Sequence, residues 1–302
     1  MDVSTAVDRL FAGVVPEREP ELRHWAVQAE RVRLLDRPEF LLQVAFGMVQ
    51  VSESALRQIW LTGYAGLAAT EAYAAAVDVA RLCGSPFDPV AWNADAEQAS
   101  WDARFDTRMD AVRELAGGMP LDELPWPEEV PEPVEGIVIV DPAAKATFDL
   151  VCMAGAFVFA HELRHALLRE EGRALAPIEE ERECDAWALD LMLGRVGDHC
   201  SRTKEDEAAV RAKRTLGVVI AQLAILTVTP RDHWKGSETH PPVRERLRAG
   251  LDAVGDAPPE WFWRSVAAML TAFARKLDAL PPPMAFPSTD RELALLLCDG
   301  FA

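Results

Sequence analysis

His161-Glu162-Leu163-Arg164-His165 is an H-E-x-x-H pentapeptide set inside an apolar run, Val151 to Leu168. In an α-helix, residues four apart stand one turn apart on the same face, so both imidazoles can reach one ion. Glu162 is turned by about 100° from His161, where its carboxylate can touch a water on that ion without entering the coordination shell. The chemistry such a set supports is hydrolysis by a zinc-activated water, with Glu162 as general base. The rival reading is two histidines stacked by coincidence. The setting opposes it, because two buried neutral imidazoles without partners are costly.

A catalytic zinc takes three protein ligands and keeps one position for water. Ala176-Pro177-Ile178 begins another expected helix, which carries Glu179, Glu180, Glu181 and Glu183. Positions 181, 184, 185, 188, 191 and 192 share a face that is apolar except for Glu181 and Asp185. This selects Glu181 as the third ligand. Asp185, one turn on, would accept the free ring N–H of a ligating histidine. The remaining glutamates fit the preference of a helix N-terminus for negative charge. Further along, Thr239-His240-Pro241-Pro242 puts His240 at a helix entrance, since the residue before a proline is extended and proline suits the first turn. Arg246 shares its inward spacing with Val243, Leu247 and Leu251. On residues alone His233 competes with His240, while His24 and His199 read as surface histidines.

Together the segments H-E-x-x-H, E-x-x-C-D and H-P-x-x-x-x-R resemble the gluzincin metallopeptidases, whose third ligand is a glutamate in an E-x-x-A-D helix. Cys184 replaces the usual alanine. Within them the chain is most similar, over Gly136 to Leu251, to the HtpX and CAAX-prenyl-protease group; a second resemblance is to the Lit-type phage-exclusion peptidases. The resemblance implies His161, His165 and Glu181 as zinc ligands, Glu162 as base, Asp185 as the histidine-orienting acid, and His240 and Arg246 near the oxyanion. The HtpX-like relatives are integral membrane proteins. Here the two most apolar runs, Leu150 to Ala160 and Leu216 to Val228, fall short of the roughly 18 to 20 residues that a bilayer demands.

The elements that must position these residues are mostly helical. The chain has 302 residues, half of them hydrophobic, enough for a sizeable core. A net charge of −18 argues against a nucleic-acid or anionic-membrane surface. Cys83, Cys152, Cys184, Cys200 and Cys298 are scattered, with no C-x-x-C, so neither a disulfide framework nor a thiolate metal site is expected. The first residues are acidic and interrupted by Pro16 and Pro20, unlike a secretory signal, so a cytoplasmic protein is expected.

Helices are expected through Glu19 to Ala116, including 21–36, 54–83 and 99–116, then at 204–227, 259–279 and 290–297. Met119 to Glu135, rich in proline and acid, reads as a linker or lid. Gly136 to Val140 reads as one short strand feeding the motif helix, with Asp141 as N-cap and Pro142 in its first turn. An edge strand there could pair with an extended substrate backbone.

The expected fold is mainly α with a small β element: a zincin-like α+β core at 136–256, an N-terminal helical region at 1–118, a linker or lid at 119–135, and C-terminal helices at 257–302. The expected activity is a zinc-dependent intracellular peptidase acting on protein or peptide. Its open site suggests gating by an activating or inhibitory protein partner, as in a defence or toxin protease. Two other readings remain at this point: a zinc hydrolase of some other bond, and a non-catalytic helical binding protein whose metal is structural or whose motif is coincidental.

Overall fold

The computed structural model describes residues 3–26, 32–134 and 137–302. In chain order the elements are α1 (Val3–Val14), α2 (Glu19–Ala26), β1 (Val32–Leu35), β2 (Leu42–Ala45), β3 (Met48–Ser52), α3 (Glu53–Leu82), α4 (Pro89–Trp92) and α5 (Ala96–Ala116). They continue with α6 (Pro142–Glu170), α7 (Pro177–Leu193), α8 (Val196–Thr203), α9 (Glu207–Val228), α10 (Val243–Asp252), α11 (Glu260–Lys276) and α12 (Asp290–Asp299). The protein is therefore mainly α with one small sheet, as its periodicity implies.

The motif helix α6 begins where its residues dictate. The Asp141 carboxylate accepts the Ala144 N–H at 2.7 Å, and Pro142 occupies the first turn. Gly172, at φ +66°, turns the chain after its end. By length and composition α6 could cross a membrane. Here it is instead the central core helix, packed by α1, α3, α7, α9 and the sheet. A helix apolar on nearly every side needs neighbours on every side. Two of them approach at glycines: a Cβ on Gly63 of α3 would fall 2.3 Å from a Val151 methyl, and one on Gly217 of α9 would fall 2.4 Å from Met153 Cβ. The N-terminal helices share this core; α3 packs against α5, α6, α9 and α11.

The sheet lies elsewhere than expected. Residues 137–140 form no strand, and Val138 and Val140 are exposed; Gly136 is outside the described residues. A β-branched run is extended by preference, but it becomes a strand only with a ladder partner. The three strands come from 32–52, in the order β1-β3-β2, with β1 parallel and β2 antiparallel to β3. The expected helix over 21–36 thus gives way to α2 and β1. Val32 and Leu34 fit a period of two as well as a helical spacing, and pairing with Val49 and Val51 decides it.

Ser52, fully buried, joins sheet to helix. Its hydroxyl caps α3 by accepting from Ala55 N–H, accepts from Leu41 N–H, and donates to the Glu39 carbonyl. This holds the segment before β2 beside the motif helix.

The Pro-rich segment is fastened down over much of its length. Trp60 donates to the Pro131 carbonyl at 2.8 Å, Arg104 and Arg108 reach Glu129, and Leu124 and Val130 are buried.

Candidate metal centre

α6 and α7 are clamped side by side by a buried arginine. Arg164, inside the pentapeptide, donates to Glu171 at 2.8 Å and to Glu183 of α7 at 2.7 Å. With α7 in that place, Glu181 faces both motif histidines. The two Nε2 atoms are 3.2 Å apart, and the Glu181 carboxylate spans them, 3.4 Å from His161 Nε2 and 3.3 Å from His165 Nε2. These separations match the edges of a tetrahedral shell, about 3.3–3.4 Å for ligands roughly 2.0–2.1 Å from zinc.

Hydrogen bonds at the opposite ring nitrogens fix the tautomers. His161 Nδ1 meets Asp185 Oδ1 at 2.9 Å, and His165 Nδ1 meets Glu180 Oε1 at 2.7 Å. In the neutral rings each carboxylate would accept an Nδ1–H, leaving each Nε2 as a lone pair. Two lone pairs and a carboxylate therefore converge on one point. Glu181 Oε2 is buried and makes no hydrogen bond. Such an array can accommodate a shared cation, and its donor set of two imidazoles and a carboxylate fits zinc.

The protonation equilibria of the bare site report the same electrostatics. Burial would lower the His161 pKa, but hydrogen bonds to Asp185 and Glu181 outweigh it and raise the value to about 9. Burial would raise Glu181, but the two histidines hold it well below the usual carboxylate range. For Glu162 burial outweighs the attraction of the same two histidines and pushes its carboxyl up.

Asp185 sits as expected. Its other partner is Arg246, which donates from Nε to Oδ2 at 2.7 Å and from Nη2 to Oδ1 at 2.6 Å. Arg246, expected beside the oxyanion, is a buried guanidinium that braces Asp185 and through it His161. His240 is on the open side, largely exposed, with Nε2 3.7 Å from Glu181 Oε1 and Nδ1 sharing a 2.7 Å hydrogen bond with the Thr239 hydroxyl. His233 lines the same cleft but contacts none of the three converging groups. His199 lies apart, paired with Glu205 at 2.8 Å, and the side chain of His24 is outside the described residues.

A cleft of about 300 Å³ opens over the site. His161, Glu162 and Glu181 line it together with Phe40 and Leu42, contributed by β2 and the segment before it. Helical periodicity alone does not show Glu180, which lies off the apolar face; the need of a second histidine for its own acceptor is the signal that points to it. Glu183 likewise has a definite task, holding Arg164 and Arg173.

A family model described as Peptidase U49 matches residues 49–265, a span that includes α6, α7 and the His240 segment. The chain is also similar to the cell death peptidase of Escherichia coli (strain K12), at 26% identity over 127 residues, 42% of this chain. That match spans 40% of the relative's own length. No solved structure matches. These findings support the Lit-type resemblance.

Proposed function

Because the chain belongs to the peptidase U49 family, we propose that it is a zinc-dependent peptidase whose centre is His161, His165 and Glu181. One observation carries the reading: two imidazoles and a carboxylate converge at zinc-ligand spacing on the floor of an open cleft, with a second carboxylate, Glu162, beside them. Bound there, zinc would supply Lewis acidity, polarising a peptide carbonyl and making water nucleophilic near neutral pH.

The chain's own residues do the rest. Glu162 accepts the proton of the attacking water on its carboxylate and delivers it to the leaving amine; burial raises its proton affinity toward what that shuttle requires. Asp185 and Glu180 keep the histidines in the tautomer that presents Nε2 to the metal. Arg246 holds Asp185 ionised and in place. His240 stands where it can donate to a carbonyl oxygen as negative charge develops on it. The open edge of β2, beside the cleft, is available to pair with a substrate backbone. This part was expected of residues 136–140.

The test is a pair of variants. Glu162→Gln is expected to retain zinc at unit stoichiometry and lose hydrolysis of an unstructured protein by about 10²–10⁴-fold. His165→Ala is expected to lose both. Elemental analysis of protein purified without added metal reads the first property, and release of new N-termini reads the second. Undiminished cleavage by Glu162→Gln would remove the general-base role, and absence of zinc in the unaltered protein would remove the metal.

A further inference from the structure

Among the described residues Phe46 is the most exposed large apolar side chain, at 93%. Its φ of +53° lies in the left-handed region, where a residue bearing a Cβ is strained. It is the first central residue of the two-residue turn between β2 and β3, followed by Gly47 at φ +74°. Asn, Asp or Gly ordinarily occupies that place. Neither burial nor turn chemistry accounts for a phenylalanine here, so its cost in solvation and strain calls for a contact outside the fold.

The position of β2 says which contact. Phe40 and Leu42 wall the cleft that holds His161 and Glu162. From Leu42 the strand runs four residues, about 13 Å, to Phe46. The pairing register also fixes which main-chain groups are free. Ala45 faces Met48 across the two-residue turn as a hydrogen-bonded pair, and alternation makes Gln43 and Gln50 the next one. The Ser52 N–H to Leu41 carbonyl bond, 2.8 Å, continues this alternation. The N–H and C=O groups of Leu42 and Val44 therefore point away from β3. Arg169 of α6 already donates to the Val44 carbonyl at 3.2 Å, which places that open edge toward the helix carrying His161 and His165. Among the described residues β2 pairs with β3 alone.

We propose that Phe46 is an outer substrate contact. An extended peptide lying along the open edge of β2, with its scissile bond over the site, sets an apolar side chain about four residues away against the Phe46 ring. The acidic surface of this chain, −18 overall, makes an anionic lipid surface a poor alternative occupant. The inference rests on the peptide-cleaving reading and adds a specificity determinant to it.

The experiment separates the two. A randomised library of ten-residue peptides is passed over immobilised Glu162→Gln protein and over the Glu162→Gln, Phe46→Asn double variant, and the retained peptides are sequenced. Asn accepts the left-handed turn, so the hairpin is kept; a urea midpoint no lower than that of the single variant verifies this. Unaltered enzyme then maps the cleaved bond in the retained peptides. The expected result is enrichment of apolar residues three to five positions from that bond, reduced about tenfold by Phe46→Asn. Identical retained sets from the two proteins would overturn the proposal, as would no retention by Glu162→Gln alone. Retained peptides that show the Phe46-dependent apolar preference but are left uncut would support the contact and count against hydrolysis instead.

Discussion

Each candidate ligand histidine hands its Nδ1–H to a different carboxylate of α7, His161 to Asp185 and His165 to Glu180. The two acceptors differ in support. Asp185 is braced by a buried arginine, whereas Glu180 is partly exposed and stands alone at its histidine. Glu180→Ala is therefore expected to fold normally and to weaken zinc binding by about 10–100-fold, measured by competition with a chromogenic chelator. Arg246→Ala is expected to do more. It leaves the buried Asp185 charge with only the His161 ring as partner, a loss of about 3 kcal/mol, seen as a lower urea midpoint along with weaker metal binding. At this scale the convergence of His161, His165 and Glu181 was legible, because a carboxylate on an otherwise apolar helix face calls for a compensating group nearby. Arg246 and Glu180 were misjudged for a common reason. Spacing tells which way a side chain faces, but a residue that works through a neighbour is found only when that neighbour's own hydrogen bonds are followed.

The glycines of α3 and α9 set how closely those helices can approach α6. Gly217→Ala would press a Cβ to within 2.4 Å of Met153 Cβ, with the Leu150 carbonyl and the Ala154 N–H also within 3.4 Å. None of these is the end of a flexible side chain, so α9 must move. The expected cost is about 1–3 kcal/mol, visible as a lower urea midpoint at unchanged slope. Helices were readable from sequence because each is long, periodic and signed at its start, as Asp141-Pro142 signs α6 and Thr289 with Glu292 signs α12. The sheet was not, because Val32-Arg33-Leu34-Leu35 suits either period and its partner β3 lies beyond an intervening strand. The run at 137–140 failed for the opposite reason: its local preference is plain, but among the described residues it joins no ladder.

Metal at the centre would tie α6 to α7 within one core that also takes in α3, α9 and α11. Ligand binding to the folded state alone adds about 2.7 kcal/mol when free metal stands a hundredfold above its dissociation constant. Removing zinc with a chelator is accordingly expected to lower the melting temperature by about 4 °C for a chain of this size, and readdition of zinc to restore it. A melting temperature indifferent to both would count against a bound metal at His161, His165 and Glu181. The whole-chain connectivity has a further outcome. Glu17, buried near the start, pairs with the equally buried Arg214 at a separation of 197 residues, and Asp185 finds Arg246 61 residues on. On a ribosome, Glu17 waits for its counter-charge while 197 further residues are added, and Asp185 waits a shorter 61 for a guanidinium that arrives later in the chain. A nascent copy that stops short of Arg214 thus carries two acidic groups still awaiting the cations that will hold them.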